Sequence, residues 1–469
     1  MGDKMNTYRS SIYILIYLIL ICVNTSTYAA TIDVPSDQPT IQAGIDAAQN
    51  GDTVIVANGV YKGEGNVNID FKGKQITVKS ENGPEETVIN CLWIPNTRGF
   101  IFQNEETHSS VLDGFTIRNG VQEFGGGIYC NNASPTIKNS VISWNKAQRN
   151  EGGTGRGGGI YCFNSNAIII DSTISNNIAE YTYGGGVYFD GTSEIKEGLG
   201  LRETRFQPKL INCLISENTG SGVFIQDFAS CEIRDSKIIH NTLRGVVCTF
   251  FSRGDTQIIG CEIAQNTGGG VEVSEYSILK INDSIIKQNT AKYGGGIYCS
   301  PSGNIVVSDS IIAQNIATKW GGGIEVFESK WGDVEITRCT ITRNTASVSG
   351  GGIYVYCLTS FTLTNSIVWG NHSDDRNPEV YVSGRGIVFR SNDIRDGLDR
   401  IGQEPDGNLF IYEDNIDKDP LFINSDRGDY RLRQDSPALG MGPQTNVGGA
   451  LSVVPLGKRL VMWADMKRK

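Results

Sequence analysis

The sequence predicts an all-β solenoid with three short strands in each coil. Three glycines followed by Ile or Val occur seven times between Gly125 and Gly352, and a segment of the form Ser/Cys-x-apolar-x-x-Asn accompanies each copy. With two shorter copies at Gly222 and Gly245 included, successive copies lie 23 to 36 residues apart. A period of this length without helical patterning is typical of a solenoid, whose units bury their apolar faces against neighbouring units.

The spacing within one unit indicates the strands. Between Gly294 and Asn315, three β-branched runs (GIYC, NIVV and SIIA) are separated by Gly, Ser, Asn and Pro. Runs this short and apolar suit parallel sheets that are buried by stacking. Asparagines at one equivalent position of successive coils can form hydrogen bonds along the stack. These asparagines are Asn145, Asn177, Asn218, Asn241, Asn266, Asn289, Asn315, Asn344 and Asn371.

A short helix is predicted at the N-terminal end of the solenoid. Residues Thr40 to Gln49 place Ile41, Ile45 and Ala48 on one face, and Asn50-Gly51 provides a stop signal. We expect this helix to cover the end of the solenoid, where unpaired strand edges would otherwise favour aggregation.

These motifs resemble those of secreted right-handed parallel β-helix proteins of the pectate-lyase-like superfamily, and the glycine repeats are also similar to those of polymorphic outer-membrane adhesins. The stretch from Val34 to Tyr61 resembles the N-terminal cap of many such proteins. The stretch from Asp419 to Gly442 is similar to the end of choice-of-anchor surface β-helices. The resemblance implies a right-handed parallel β-helix of about eleven coils and says little about chemistry.

The chain is expected to be exported and to form one domain. Lys4 and Arg9, an apolar run and the small residues Ala29 and Ala30 describe a secretory signal peptide, which predicts a secreted or cell-surface protein with no transmembrane segment after cleavage. We expect Leu421 and Phe422 to insert into the last coil and close it. The predicted divisions are a signal peptide (1–30), an N-terminal cap with the first coils (31–111), regular repeats (112–372), a closing segment (373–444) and a tail of unknown role (445–469).

The net charge bears on the class of partner, and the cysteine positions bear on disulfide formation. The formal net charge is −10, which argues against a nucleic-acid partner. Cys130, Cys162, Cys248 and Cys299 share one slot of the repeat, where stacked positions are about 4.8 Å apart, wider than a relaxed disulfide favours between its Cβ atoms. We therefore predict that they are small core residues. We also expect a monomer.

An aromatic stripe is the first candidate site. Strand alternation turns the residue after the Ile or Val of each repeat outward. This outward column is Tyr129, Tyr161, Tyr188, Phe224, Val247, Glu272, Tyr298, Glu325 and Tyr354. Tyr293 and Trp320 precede two of the triplets and should lie along its edge. We predict that Tyr188, Tyr293, Tyr298, Trp320 and Tyr354 bind a polysaccharide or cell-surface glycan. The alternative is that the rings stack for strand stability alone.

Carboxylates form the second candidate site. Glu272 and Glu325 flank Tyr298 two coils apart, which is on the order of 9.6 Å and near the separation in inverting glycosidases. They are therefore the candidate catalytic pair. Glu275 and Glu328 repeat the spacing, and the four carboxylates together could instead hold Ca²⁺. The remaining alternative is a solvated acidic face. No cofactor beyond calcium is indicated.

The resemblance implies one further set of candidates. Lyases of the superfamily use calcium-bridging aspartates with an Arg or Lys base, and related hydrolases use clustered aspartates with a Gly-His-Gly segment, which this sequence lacks. Asp190 and Asp227 are the candidate ligands for such a calcium, with Arg202, Arg205 or Arg244 as the base. The sequence therefore favours a non-catalytic glycan-binding protein or adhesin, and a polysaccharide lyase, glycoside hydrolase or epimerase is the alternative.

Overall fold

Three long parallel sheets run along the molecule, and each complete coil contributes one strand to each sheet. The sheets hold 15, 13 and 13 strands, so the solenoid has about twelve coils, close to the predicted eleven. Sheet I contains Thr31–Val34, Thr53–Val56, Thr77–Ser80, Val111–Asp113, Thr136–Lys138, Ile168–Ile170, Lys209–Ile211, Glu232–Arg234, Thr256–Ile259, Ile278–Asn282, Asn304–Ser308, Val334–Thr337, Phe361–Thr364, Ile387–Arg390 and Phe410–Glu413.

The other two long sheets carry the two repeat motifs. Sheet II, which contains the strands after the glycine triplets, consists of Ile69–Asp70, Phe100–Phe102, Ile128–Asn131, Ile160–Phe163, Val187–Asp190, Val223–Ile225, Arg244–Cys248, Gly269–Val273, Ile297–Cys299, Ile324–Ser329, Ile353–Cys357, Val380–Gly384 and Gly402–Gln403. Sheet III, which contains the strands before the asparagines, consists of Gly59–Tyr61, Thr87–Asn90, Thr116–Arg118, Val141–Ser143, Thr173–Ser175, Leu214–Ser216, Lys237–Ile239, Glu262–Ala264, Ile285–Lys287, Ile311–Ala313, Thr340–Thr342, Ile367–Trp369 and Asp393–Ile394.

Smaller elements complete the description. Two short parallel sheets lie beside the long ones: Val121–Gln122, Lys146–Ala147 and Ile178–Ala179 in one, and Thr290–Ala291, Ile316–Ala317, Thr345–Ala346 and His372–Ser373 in the other. Two antiparallel hairpins pair Glu194–Ile195 with Arg202–Glu203 and Phe422–Asn424 with Asp429–Leu432. Single 3₁₀ turns occur at Leu398–Arg400 and Ser425–Arg427.

The computed structural model describes most of the chain between the cap and the closing segment. The described residues are 29–149, 153–180, 183–192, 194–195, 202–203, 206–252, 256–329, 332–357, 360–374, 379–403 and 410–443. The predicted signal peptide, apart from its last two residues, and the tail 445–469 lie outside them. In the described ranges, no helix has both the length and the apolar character that a membrane crossing requires.

The predicted capping helix is present as Ile41–Ala47. The hydroxyl of Thr40 accepts a hydrogen bond from the N–H of Ala43 (3.2 Å), which satisfies one of the free donors at the helix start. Ile41 and Ile45 are fully buried against the first coils. The helix therefore covers the beginning of the core, as the apolar spacing predicted.

One apolar core fills the solenoid from Val34 to Ile401. Equivalent residues stack in register, so that Ile128 pairs with Ile160 and Cys130 with Cys162. All nine cysteines whose side chains are described are buried, and none of them forms a disulfide, which confirms that they are core residues.

The predicted asparagine column forms on the buried side of the turn after sheet III. In each step, the backbone N–H and the side-chain amide of one asparagine donate to Oδ1 of the next; from Asn289 to Asn315, both distances are 3.0 Å. The same pattern continues from Asn145 to Asn371 and ends at Glu379, whose carboxylate accepts from the side-chain amide of Asn371 at 2.7 Å. The column is therefore continuous through all the coils between these residues.

The C-terminal hairpin lies against the outside of sheet III. Phe422 and Tyr430 pack with Ile285, Ile311 and Ala313, which lie several coils before the end of the solenoid. The prediction that Leu421 and Phe422 insert into the last coil is therefore wrong for Phe422. The chain turns back after Ile416 pairs with Asp393, and the hairpin then covers an outward apolar strip of sheet III.

Candidate functional site

Three consecutive coils have a shorter connection between sheet III and sheet II than the others. Only three residues separate Asn218 from Gly222, Asn241 from Gly245, and Asn266 from Gly270. Six or more residues occupy this connection in the flanking coils, where they form the strands of the two small sheets. The small sheets are interrupted across these three short coils.

The last glycine of the triplet is kept in both kinds of coil. A Cβ atom on Gly270 would lie 2.5 Å from the carbonyl oxygen of Gly296 and 3.0 Å from Nδ2 of Asn289. Such distances leave no space for a side chain, because the asparagine column passes directly against this backbone. The short coils thus lack the residues that follow the asparagine in long coils, but they retain the last glycine, which packs against the asparagine column.

The long coils carry a side chain that covers the outward column of sheet II. The residue before the triplet packs over the column residue of the following coil: Phe124 lies over Tyr161 with ring centroids 5.1 Å apart, and Tyr183 over Phe224 at 5.3 Å. Arg156 takes the same position over Tyr188, with its guanidinium carbon 5.4 Å from the ring centroid. We call these residues lids.

The lids correct the prediction of an exposed aromatic stripe. Tyr188 is 0% exposed and belongs to a second apolar cluster with Tyr161, Phe224 and Val247. It therefore cannot stack on a glycan in this structure. The outward turn of these side chains was predicted correctly, but the covering by the lid of the preceding coil was not.

The C-terminal part of the stripe is half-buried and stacked. Tyr293 lies 5.5 Å from Trp320, and Trp320 lies 5.6 Å from Tyr354, with interplanar angles of 24° and 17°. Tyr293 also stacks on Tyr298. Because stacked rings turn their faces toward each other, they present mainly edges to solvent, and sugars stack on faces rather than on edges. Glycan binding by these four residues stays a prediction.

An open cleft lies over the short coils, where no lid is present. It has a volume of about 470 Å³, within the range of about 300–1,000 Å³ that is usual for ligand sites. Tyr183 and Phe224 form one wall, and Pro301 lies on the opposite side. The remaining lining residues are Ser221, Leu243, Arg244, Val247, Thr249, Phe250, Gly268, Glu272, Ser274, Glu275 and Ser300.

A second aromatic ladder runs beside the cleft and was missed by the sequence analysis. Phe228, Phe251 and Tyr276 stack at 5.7 and 5.3 Å with nearly parallel rings. They occupy equivalent turns after sheet II, all with positive φ. The signal in the sequence was an aromatic residue three positions after the end of each short-coil strand. The neighbouring Phe250 lines the cleft and is 41% exposed.

An ion pair closes the C-terminal side of the cleft. Nε of Arg244 lies 2.6 Å from Oε2 of Glu272, and the guanidinium carbon lies 5.0 Å from the ring centroid of Tyr298. Arg244 lies over a ring two coils further on, whereas the lid Arg156 lies over Tyr188 in the next coil. Burial, followed by the nearby carboxylates of Glu325 and Glu272, raises the pKa of Tyr298 to about 12.

The predicted catalytic pair of Glu272 and Glu325 does not form. Glu325 is 1% exposed, and its Oε2 accepts a hydrogen bond from the N–H of Gly294 (2.9 Å). Burial raises the pKa of Glu325 to about 8, so it is largely protonated at neutral pH. Each lid lies over the column residue of the next coil, and Glu325 is the column residue in the coil after Tyr293. A substrate in the cleft therefore reaches Glu272 but not Glu325.

The carboxylates proposed for calcium come from different coils. Glu275 lines the cleft, whereas Glu328 lies two coils away in Ile324–Ser329, at a register shift, and its side chain is outside the described part of the structure. Within the ranges described, no three acidic, His or Cys side chains come close enough to hold a metal ion. Calcium binding stays a prediction that the geometry does not test.

The candidate lyase residues have other partners. Oδ2 of Asp190 accepts from Arg156 at 3.0 Å and from the hydroxyl of Tyr161 at 2.9 Å. This leaves Asp190 buried beneath the lids rather than free for a cation. Arg244 pairs with Glu272, and the side chains of Arg202 and Arg205 lie outside the described residues. Asp227 accepts from the side-chain amide of Gln226.

Comparison with known proteins places the fold. Residues 197–368 match the family model of the right handed beta helix region. Similar solved structures include the pectate lyase Pel9A (14% identity, TM-score 0.36, covering 90% of this chain and 89% of that one) and a PL6 alginate lyase in complex with a trisaccharide (14%, 0.44, 84% and 87%). Another is PfbA, a surface adhesin of Streptococcus pneumoniae (12%, 0.34, 80% and 85%). No curated protein matches this chain in sequence.

Proposed function

We propose that this right-handed parallel β-helix protein is exported, binds an extended polysaccharide in the cleft over the short coils, and does not cleave it. The observation that carries the proposal is the cleft itself, which occurs where three successive coils lack a lid. Its lining combines exposed aromatic surface with a few polar groups, as sugar binding requires.

The lining offers both kinds of contact that a sugar ring uses. Phe250 and Tyr183 supply apolar surface for the C–H groups of the sugar. The hydroxyls of Ser274 and Thr249 are linked to each other at 2.7 Å and, with Ser300, can exchange hydrogen bonds with sugar hydroxyls. The cleft lies on the side of the solenoid rather than at its end, so a long polymer can cross it without threading a terminus.

The proposal predicts that Phe250→Ala weakens polysaccharide binding at least tenfold while the fold is retained, since Phe250 is exposed. Affinity electrophoresis against plant, algal and bacterial polysaccharides would measure the loss. Tyr356→Ala is a matched control, because Tyr356 is equally exposed at 39% but lies outside the cleft. Equal binding by Phe250→Ala and the parent protein would contradict the proposal.

The variant Trp320→Ala distinguishes binding in the cleft from binding along the aromatic stripe. Trp320 belongs to the stacked series and does not line the cleft. The cleft proposal predicts unchanged binding in this variant. A loss as large as that of Phe250→Ala would favour the stripe as the binding surface.

A polysaccharide lyase, hydrolase or epimerase is the second candidate, and Glu275 is the observation that favours it. Burial, Glu272 and Asp227 together raise the pKa of this cleft carboxyl, which would help it to act as a proton donor. An enzyme would shorten or isomerise one polymer of the panel, with calcium present, and Glu275→Gln would abolish the change. Polymer chain lengths and uronate composition after incubation test this, and the binding proposal predicts that neither changes.

A further inference from the structure

The charges around the cleft select among polysaccharides. Of the described residues that line it, Arg244 is the one cation, and Glu272 and Glu275 are the two anions. A polymer of uronic acids carries one carboxylate per sugar and needs cations that are free to pair with it. The question is therefore whether Arg244 is available.

Arg244 is already engaged on several sides. Its Nε pairs with Glu272 at 2.6 Å, and its side chain is only 12% exposed. Nη2 donates to the carbonyl oxygen of Tyr293 at 3.1 Å, and Nη1 lies 3.4 Å from the carbonyl oxygens of Val271 and Gly294. These contacts hold the guanidinium against the C-terminal wall and over the Tyr298 ring. Few of its five N–H donors remain for a ligand.

Glu275, unlike Glu272, has no cation paired with it among the described residues. Glu275 is exposed at the cleft, and its pKa is raised by burial and by the negative charges of Glu272 and Asp227. A ligand carboxylate placed in the cleft would face the same negative charges and would be repelled. Uncharged sugar hydroxyls, by contrast, can donate hydrogen bonds to these carboxylates.

We infer that the cleft selects an uncharged polysaccharide and excludes uronic-acid polymers. This inference rests on the proposed function and names the ligand class of the same site. Glu275 and Glu272 act as acceptors for sugar hydroxyls, and Arg244 serves the wall of the cleft rather than the ligand.

The test compares each uronic-acid polymer with its own carboxyl-reduced form, which has the same linkage and length but no charge. Mannuronan and polygalacturonan, their reduced forms and neutral glucans, mannans and xylans make up the panel. We expect retained polymers to be uncharged, and a reduced form to bind at least tenfold more tightly than its uronate parent. Tighter binding of a uronate than of its reduced form would overturn the inference and leave the proposed function standing. Retention of no polymer would instead overturn the proposed function, and the inference with it.

Two variants separate repulsion from general weakening. Glu275→Gln removes an exposed negative charge without touching Arg244, and Glu272→Gln frees the guanidinium for a ligand carboxylate. Both should improve uronate binding at least tenfold relative to the parent protein, with the larger gain in Glu272→Gln. If circular dichroism shows that Glu272→Gln is unfolded, the Glu275→Gln result decides. Uronate binding that is unchanged in the folded variants would contradict the inference.

Discussion

The long coils and the short coils differ on their outer face and agree on their inner one. In the long coils around Tyr188, the connection after the asparagine carries a lid, and the outward column becomes a second apolar cluster. In the short coils around Val247 and Glu272, the lid is absent. Val247 still packs at the edge of that cluster, and the same face of sheet II lines an open cleft. The asparagine column passes through both without change. The length of the connection thus decides whether the outer face of a coil is covered by a lid or open.

The largest expected effect tests whether the column is shared. Asn241→Ala in a short coil and Asn315→Ala in a long coil should each lower the free energy of unfolding by about 3 kcal/mol or more, because each leaves the amides of the preceding asparagine and a buried carbonyl without a partner. Urea unfolding measures both. A loss much smaller in the short coil would show that the cleft region does not depend on the column, and the comparison would fail.

The next effect concerns the covered carboxyl of a long coil. The folded-state pKa of Glu325 is raised from 4.5 to about 8 by burial, so its protonated form stabilises the fold fully below pH 4.5, and this contribution is lost as the pH rises through 8. Glu325→Gln should remove this loss of stability between pH 5 and pH 9. Chemical denaturation across that range measures it. The exposed Glu335, replaced by Gln, is the control and should leave the pH profile as in the parent protein.

A transplant can turn a short coil into a long one. Replacing residues 219–221 by the six residues Thr290–Gly295 of a long coil should place a tyrosine lid over Val247, since lids cover the following coil. We expect a loss of polysaccharide binding of at least tenfold, about 1.4 kcal/mol, without loss of stability. The same insert with serine in place of the tyrosine is the control and should keep more of the binding. If both inserts bind as the parent does, the missing lid is not what opens the cleft.

The smallest expected effect comes from removing a lid from a long coil, the reverse of the transplant. Phe124→Ala removes a half-buried lid far from the cleft and should lower the free energy of unfolding by about 1 kcal/mol, since the ring covers Tyr161. Binding to polysaccharides should stay as in the parent protein. Thermal unfolding and affinity electrophoresis measure the two quantities, and an unchanged melting temperature would mean that the lid adds no stability.

The fold could be predicted because it depends on which residue types recur at fixed positions of the repeat. Glycine triplets, β-branched runs and asparagines recur at positions where only those residues satisfy the backbone, as Gly270 shows. The helix at Ile41–Ala47 and the buried cysteines followed from local spacing in the same way. Each of these features depends on neighbours that the repeat itself supplies.

The site could not be predicted as well, because it depends on a length rather than on a residue type. The copies at Gly222 and Gly245 were recognised as reduced, but the shortened connection from the asparagine was not read as an absent lid. The burial of Tyr188 and Glu325 depends on the lid of another coil, which strand alternation alone does not reveal. Glu272 lies in the cleft, which the sequence did not indicate, and its partner Arg244 comes from the preceding coil.

The asparagine column also limits how such a molecule can change in size. It begins where Asn145 accepts the backbone N–H of Gly120, and it ends at the acceptor-only carboxylate of Glu379. Every step between these ends joins the same groups, so one whole coil can be gained or lost without leaving an unpaired amide, whereas part of a coil cannot. Chains descended from a common ancestor should therefore differ by whole coils, and the width of the cleft can grow or shrink in units of one short coil.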